Sequence, residues 1–113
     1  MFSKSTFGFH TSWGDIVKVT LTAGQYQNGA KALQLIDTSD GGPYAIATVN
    51  TGKTYDDDQI VVKDWSENEG MVDFLTEIGF IDQVVGVEPC GYALAYICHL
   101  SPDAQNFFAS AKV

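Results

Sequence analysis

Residues 62–82 have the sequence VKDWSENEGMVDFLTEIGFID, and this stretch decides the fold class. Ser66 followed by Glu69 is the pattern of a capping box, in which each side chain accepts a hydrogen bond from the other residue's backbone N–H. From Met71 onward the apolar residues recur every three or four positions, which is the spacing of one helix face. Gly79 suits the position that ends such a helix. The stretch therefore predicts a helix over residues 66–78, which must bury its apolar face against another element.

Further expectations concern the residues at the start of this helix. Trp65 precedes the predicted cap, where it can pack over the helix near Gly70 or Met71 as a hydrophobic staple. Gly70 costs helix stability, so we expect it where a side chain would meet the indole or a strand. Removing the Ser66 hydroxyl should then lower stability by about 1 kcal/mol.

The residues before the helix alternate between apolar and polar as β-strands do. Asn28-Gly29 predicts a hairpin with a type I′ turn, and residues 40–43, DGGP, predict a second turn. The predicted strands are residues 15–27, with Val17, Val19 and Leu21 on one face, then KALQLID (31–37), YAIATVN (44–50) and QIVVKDW (59–65).

The residues after the helix continue the same fold class. DQVVGV and GYALAYICHL are strand-like, and Ser101-Pro102 is a helix start whose following Phe107 and Phe108 should dock on the sheet. We therefore predict one α+β domain over residues 1–113. It consists of an antiparallel β-meander of about five to six strands, one helix packed on a face (residues 66–78) and a short C-terminal helix.

The charge of the chain restricts its partners. It carries 14 acidic residues against six lysines and no arginine, a formal net charge of −8, and twelve of the acids lie within residues 37–88. Nucleic acids and anionic membranes bind clustered Lys and Arg, so direct binding to either is disfavoured. A protein with a basic surface is the favoured partner.

Two further patterns bear on the compartment. The chain has no apolar run long enough to span a membrane and no secretory signal pattern at its N-terminus. If residues 90–98 form one strand, Cys90 and Cys98 lie roughly 26 Å apart and cannot form a disulfide. If the strand begins only at Tyr92, Cys90 can reach elsewhere. Free thiols suit a reducing compartment, which predicts a cytoplasmic location.

Acidic residues around the helix are the main candidate site. Asp73 and Glu77 are four residues apart, so they share a helix face, whereas Glu67 and Glu69 can be explained by the helix dipole alone. We predict an acidic partner-binding surface made of Asp56, Asp57, Asp58, Asp64, Glu67, Glu69, Asp73 and Glu77.

No pattern of catalysis or metal binding stands out. The run Asp56 to Asp58 lacks the spacing, central glycine and final glutamate of a calcium loop, so a solvated turn is the simpler interpretation. Cys98 and His99 are neighbours on a predicted strand and point to opposite faces, and no motif joins Cys90 to His10. The WSENEG stretch is acidic where a phosphate-binding loop needs donors. We therefore expect a protein that is not an enzyme, with no catalytic residues, cofactor or metal.

The N-terminal residues 1–14 are rich in aromatic side chains. Phe7, Phe9 and Trp13 form either an exposed arm, with an apolar interface for an adaptor or homodimer, or a short strand in which Phe7 and Phe9 cover the sheet.

Three segments, GGPYAIATVN, VKDWSENEGMVDFLTEIGFID and CGYALAYICHLS, carry a resemblance to a known family. The sequence resembles small proteins of unknown function that are carried on bacterial plasmids, integrated elements and phages. Their pattern is a hairpin, a "PYATLTVN" strand and a "VKDYSENEG" segment that opens a helix. The resemblance covers about residues 17–101, and KDWSENEG is its most specific part.

The resemblance implies no catalytic residue, but it implies accessory genes of mobile elements, many of which counter host defence. The resulting hypothesis is a non-catalytic inhibitor of a host defence complex, such as an anti-CRISPR protein. Its acidic surface would face the basic nucleic-acid channel of that complex. The alternative is the adaptor or homo-oligomeric module that uses the aromatic arm.

Overall fold

The computed structural model describes Phe2 and residues 5–111; residues 1, 3 and 4 of the predicted arm, and residues 112 and 113, lie outside this range. The fold is α+β, as predicted, with antiparallel strands in two sheets and two helices. The strands are β1 (Phe7–His10), β2 (Ile16–Gln25), β3 (Lys31–Asp37), β4 (Pro43–Ile46), β5 (Gln59–Val62), β6 (Ile81–Cys90) and β7 (Ala93–Leu100). The helices are α1 (Met71–Glu77) and α2 (Pro102–Ala111), and a 3-10 turn (Ser66–Asn68) precedes α1.

The first sheet has the order β1-β2-β3-β4 and the second the order β5-β7-β6. Residues 47–49 join them, because Ala47 donates its N–H to Leu33 O and accepts the N–H of Lys63, and Thr48 bridges to Val62. The predicted meander is correct from β2 to β4, but β5 belongs to the second sheet, and the order beyond β5 differs from the prediction. After β5 the chain passes through α1 and forms β6 at the opposite edge of the second sheet. The last strand, β7, then lies between β6 and β5. β1 corresponds to the alternative in which Phe7 and Phe9 form a short strand.

The alternating residues of β2 and β3 face the core as predicted. Val19 and Leu21 of β2 are buried, and so are Leu33 and Leu35 of β3. The turn between these strands differs from the predicted type. Gly29 has a positive φ of 90° but Asn28 does not, so the turn is a three-residue loop that ends in a left-handed glycine. A type I′ turn would need positive φ at both residues.

The joint before α1 is built differently from the predicted capping box. Ser66 has a φ of 55° and makes no side-chain cap, and α1 begins only at Met71, after Gly70. The cap is Asp64, whose Oδ1 accepts the N–H of Gly70 at 2.8 Å and whose Oδ2 accepts the N–H of Val72 at 2.9 Å. A carboxylate next to free N–H groups at a helix start also complements the helix dipole.

Gly70 is required by its backbone conformation, because its φ of 93° lies in the left-handed region. A Cβ added there would meet a strand, as expected, because its nearest neighbour is the carbonyl oxygen of His10 at the end of β1. At 3.8 Å this is an ordinary contact, so the strand does not by itself exclude a side chain. At the other end of α1 the prediction is confirmed. Gly79 donates to Thr76 O and Phe80 donates to Leu75 O, the hydrogen-bond pair of a Schellman motif.

Aromatic rings from distant parts of the chain meet in the core. Phe2 packs against Phe80 and Phe107 with ring centroids 4.9 and 6.2 Å apart, and Phe80 packs against Phe108 at 5.8 Å. Phe108 is buried, so α2 docks on the core as predicted. The Ser101 cap of α2 is also confirmed, because Ala104 donates its N–H to the Ser101 hydroxyl.

The two cysteines do not share a strand. Cys90 ends β6 and Cys98 lies within β7, so the predicted single strand over residues 90–98 is a hairpin turning at Gly91 and Tyr92. Both thiols are free. Burial raises the pKa of Cys98 to about 12, so this thiol stays protonated at neutral pH. Neither helix in the described part of the chain is long and apolar enough to cross a membrane.

Candidate binding surface

The predicted acidic surface divides into two groups at opposite ends of β5. Asp56 to Asp58 precede β5, and the remaining five acids follow it in the joint and in α1. Four extended residues separate the groups by roughly 13 Å. The two groups therefore present separate charges to a partner, and each must be considered by itself.

The first group is partly engaged with cations. Asp57 is fully exposed and lies 3.9 Å from the Lys31 ammonium, which also stands 6.0 Å above the Phe108 ring. Asp58 lies 3.2 Å from Nε2 of His99. The backbone N–H of Asp56 donates to the side chain of Gln59. Part of the charge of this group is consequently balanced within the molecule.

His99 is the centre of a cluster that the sequence analysis missed. Its Nδ1 lies 2.7 Å from Asp82 Oδ1, while its Nε2 faces Asp58. The hydrogen bond to Asp82 is the main cause that raises the pKa of His99, and the charge of Asp58 adds to it. Both ring nitrogens can donate only in the imidazolium form. In the strand register, Gln59 of β5 and Gln83 of β6 both lie opposite His99 of β7. The cluster could therefore be predicted only from strand pairing, because no local sequence motif marks it.

Asp64 is not free to face a partner, contrary to expectation. Both of its carboxylate oxygens accept backbone N–H groups at the start of α1, and its side chain is half-buried. It is a structural residue that holds the remaining acids of the second group in place.

The other four acids form what we call the α1 acidic patch: Glu67, Glu69, Asp73 and Glu77. All four are exposed. Within Phe2 and residues 5–111, no lysine or histidine lies within salt-bridge distance of any of them. Their charge is therefore directed to solvent, where it can act on an approaching molecule.

The α1 acidic patch borders a cleft between β1 and α1. The cleft has a volume of about 230 Å³ and is lined by His10, Gly70, Asp73, Phe74 and Glu77. Asp73 and Glu77 stand on one side, one helical turn apart, and the end of β1 forms the other. Two carboxylates beside an aromatic wall suit a Lys or Arg side chain, whose stem can lie on apolar surface while its charged end meets the acids.

The predicted apolar interface of Phe7, Phe9 and Trp13 is not an exposed arm. Phe7 and Phe9 lie in β1, which pairs with β2, and Phe9 is completely buried against Tyr44 and Phe74. The strand alternative is thus the correct one. Trp13 alone is exposed, at 63%. Most of the other large apolar side chains that are exposed lie on the β6–β7 hairpin: Val84, Val85, Val87, Tyr92 and Leu94.

Among the described residues, no three His, Cys, Asp or Glu side chains are grouped as metal ligands. No protein-family model matches the sequence, and neither a curated protein nor a solved structure matches it significantly.

Proposed function

We propose that the protein binds, without catalysis, a protein that has a basic surface, and that the α1 acidic patch is the contact. The observation that carries this proposal is the set of four exposed carboxylates without a basic partner in the described structure, two of which, Asp73 and Glu77, line a cleft. Opposite charges on the two proteins accelerate their encounter and disfavour binding of other proteins that are acidic. The cleft accepts a Lys or Arg side chain of the partner between the two carboxylates of α1.

The target we propose is a host defence complex whose nucleic-acid channel is lined with Lys and Arg. An acidic protein competes with nucleic acid in such a channel because both are attracted by the same cations. The resemblance to mobile-element proteins supports this choice, and so does the net charge of −8. The proposed activity is anti-CRISPR or a related inhibition, exerted in the cytoplasm of a bacterial host.

The test compares two double charge reversals. Asp73→Lys with Glu77→Lys removes half of the α1 acidic patch, whereas Asp15→Lys with Asp103→Lys makes the same charge change at exposed acids outside it. Close interfacial charge pairs have coupling energies of about 1.5–7 kcal/mol, so the first variant should bind at least about tenfold more weakly. The control variant should bind like the wild type.

The measurement is capture of partners from a lysate of the bacterial host, followed by titration of the captured complex at two salt concentrations. We expect wild-type and control proteins to enrich one nucleic-acid-binding complex and to lose affinity as salt rises. The proposal is overturned if the patch variant binds this complex as tightly as the control, or if binding does not respond to salt.

A further inference from the structure

The β6–β7 hairpin carries an apolar strip on one face. The strand register places Val84 opposite Cys98, Val87 opposite Tyr96 and Pro89 opposite Leu94, and paired residues share a face. Because Cys98 is buried, the face that these residues share is the core side of the sheet. The β6 members of the pairs and Leu94 are nevertheless exposed to solvent. Val84, Val87 and Leu94 are 42, 52 and 52% exposed. We call Val84, Val87, Pro89 and Leu94 the hairpin strip.

The acids of β6 lie away from the hairpin strip and have cationic partners. Glu88 is opposite Ala95 on the other face, where it forms an ion pair with Lys53. Asp82 is hydrogen-bonded to His99. The strip itself contains no ionisable residue. A basic partner would find no charge to pair with there, whereas a second copy of this acidic chain can approach without placing carboxylates against each other.

We propose that the hairpin strip is a self-association surface, on which a second copy of the chain docks about a two-fold axis. A two-fold axis brings the same patch of both copies together, so an uncharged apolar strip is complementary to itself. Contact through side chains is favoured over strand addition, because register shifts after Ile81 and Val84 and the missing N–H of Pro89 interrupt the free edge of β6.

The size of the strip sets the strength of the contact. With Tyr92, which is fully exposed at the tip, the hairpin can bury on the order of 500 Å² per copy, against roughly 800 Å² per partner in a standard interface. The dimer is therefore weak and depends on concentration. Each copy carries a net charge of −8, so salt screens the repulsion between copies and tightens the dimer. Binding through the α1 acidic patch has the opposite salt dependence.

The test is sedimentation velocity of the purified chain from about 10 μM to about 1 mM, a range that covers weak association. It is run in about 0.05 M and about 0.5 M NaCl, which differ several-fold in screening length. We expect a monomer that shifts to a dimer with rising concentration, at severalfold lower concentration in high salt. A monomer at every concentration in both salts overturns the proposal.

Two variants locate the contact. Val87→Glu should raise the dimer dissociation constant at least tenfold, and Leu94→Gln, which adds no charge, should raise it severalfold. Ile16→Glu makes the same charge change at an exposed residue of β2 and should match the wild type. Far-ultraviolet circular dichroism checks that each variant is folded. If Val87→Glu associates as strongly as Ile16→Glu, the hairpin strip is not the contact.

Discussion

Replacing Asp64 with alanine tests the account of how α1 begins. The carboxylate accepts two backbone N–H groups, at 2.8 and 2.9 Å, in a half-buried position. A hydrogen bond to a charged group contributes about 1.5–3 kcal/mol, and loss of a helix cap costs about 0.5–2 kcal/mol. Because water reaches part of this joint, we expect Asp64→Ala to lower the free energy of unfolding by about 2–3 kcal/mol. That is a large fraction of the roughly 5–15 kcal/mol typical of a domain.

The assay is urea denaturation at 25 °C with linear extrapolation. With a slope of about 1–3 kcal/mol/M, the midpoint should fall by roughly 1–2 M while the slope stays constant. Asp64→Asn keeps one acceptor oxygen and should lose about half as much. Ser66→Ala should change the free energy by less than about 0.5 kcal/mol, as ordinary surface substitutions do. A larger loss in Ser66→Ala than in Asp64→Asn would refute this account and restore the capping box.

Three other perturbations test separate features. The pKa of His99 is raised in the folded state, so its contribution to stability is present below about pH 6.5 and is lost as pH rises through the folded pKa. His99→Gln should flatten this decline in urea titrations at several pH values. Phe9→Ala should cost about 3–5 kcal/mol by creating a core cavity, whereas Trp13→Ala should cost less than about 0.5 kcal/mol by the same assay. Gly70→Ala should cost about 1–2 kcal/mol through backbone strain, with no change in far-ultraviolet circular dichroism. Unchanged stability in the Phe9 or Gly70 variant would contradict the burial or the left-handed conformation described above.

The local parts of the fold could be predicted because their signals lie within a few residues. The alternation of residues 31–37 sets the bounds of β3, and Gly79 marks the end of α1 through a conformation that glycine adopts easily. The prediction of the helix start was wrong because a different side chain caps the helix. Ser66 has the expected spacing to Glu69, but the Glu69 N–H bonds to the backbone carbonyl of Ser66 and not to its side chain. Asp64 has two acceptor oxygens and takes the N–H groups of Gly70 and Val72, where α1 begins.

The candidate site could be predicted less well from the sequence, because it depends on the order of the strands. Sequence proximity suggested that Asp58 and Asp73 belong to one surface, yet β5 stands between their segments. His99 meets Asp58 and Asp82 only because β7 returns between β5 and β6. The hairpin strip exists because the chain turns at Gly91, within the stretch 90–98 that the sequence suggested as one strand. Each of these features requires pairing between residues far apart in sequence.

The aromatic cluster of Phe2, Phe80, Phe107 and Phe108 has a consequence for synthesis in the cell. Its members come from the beginning, the middle and the end of the sequence, so the nascent chain cannot complete its core when the first two have been made. At roughly 5–20 residues per second, the segment from Phe80 to Phe108 takes about 1–6 s to translate. Throughout that interval the rings of Phe2 and Phe80 lack the face of α2 against which they pack, so this part of the core can form only after α2 has been made.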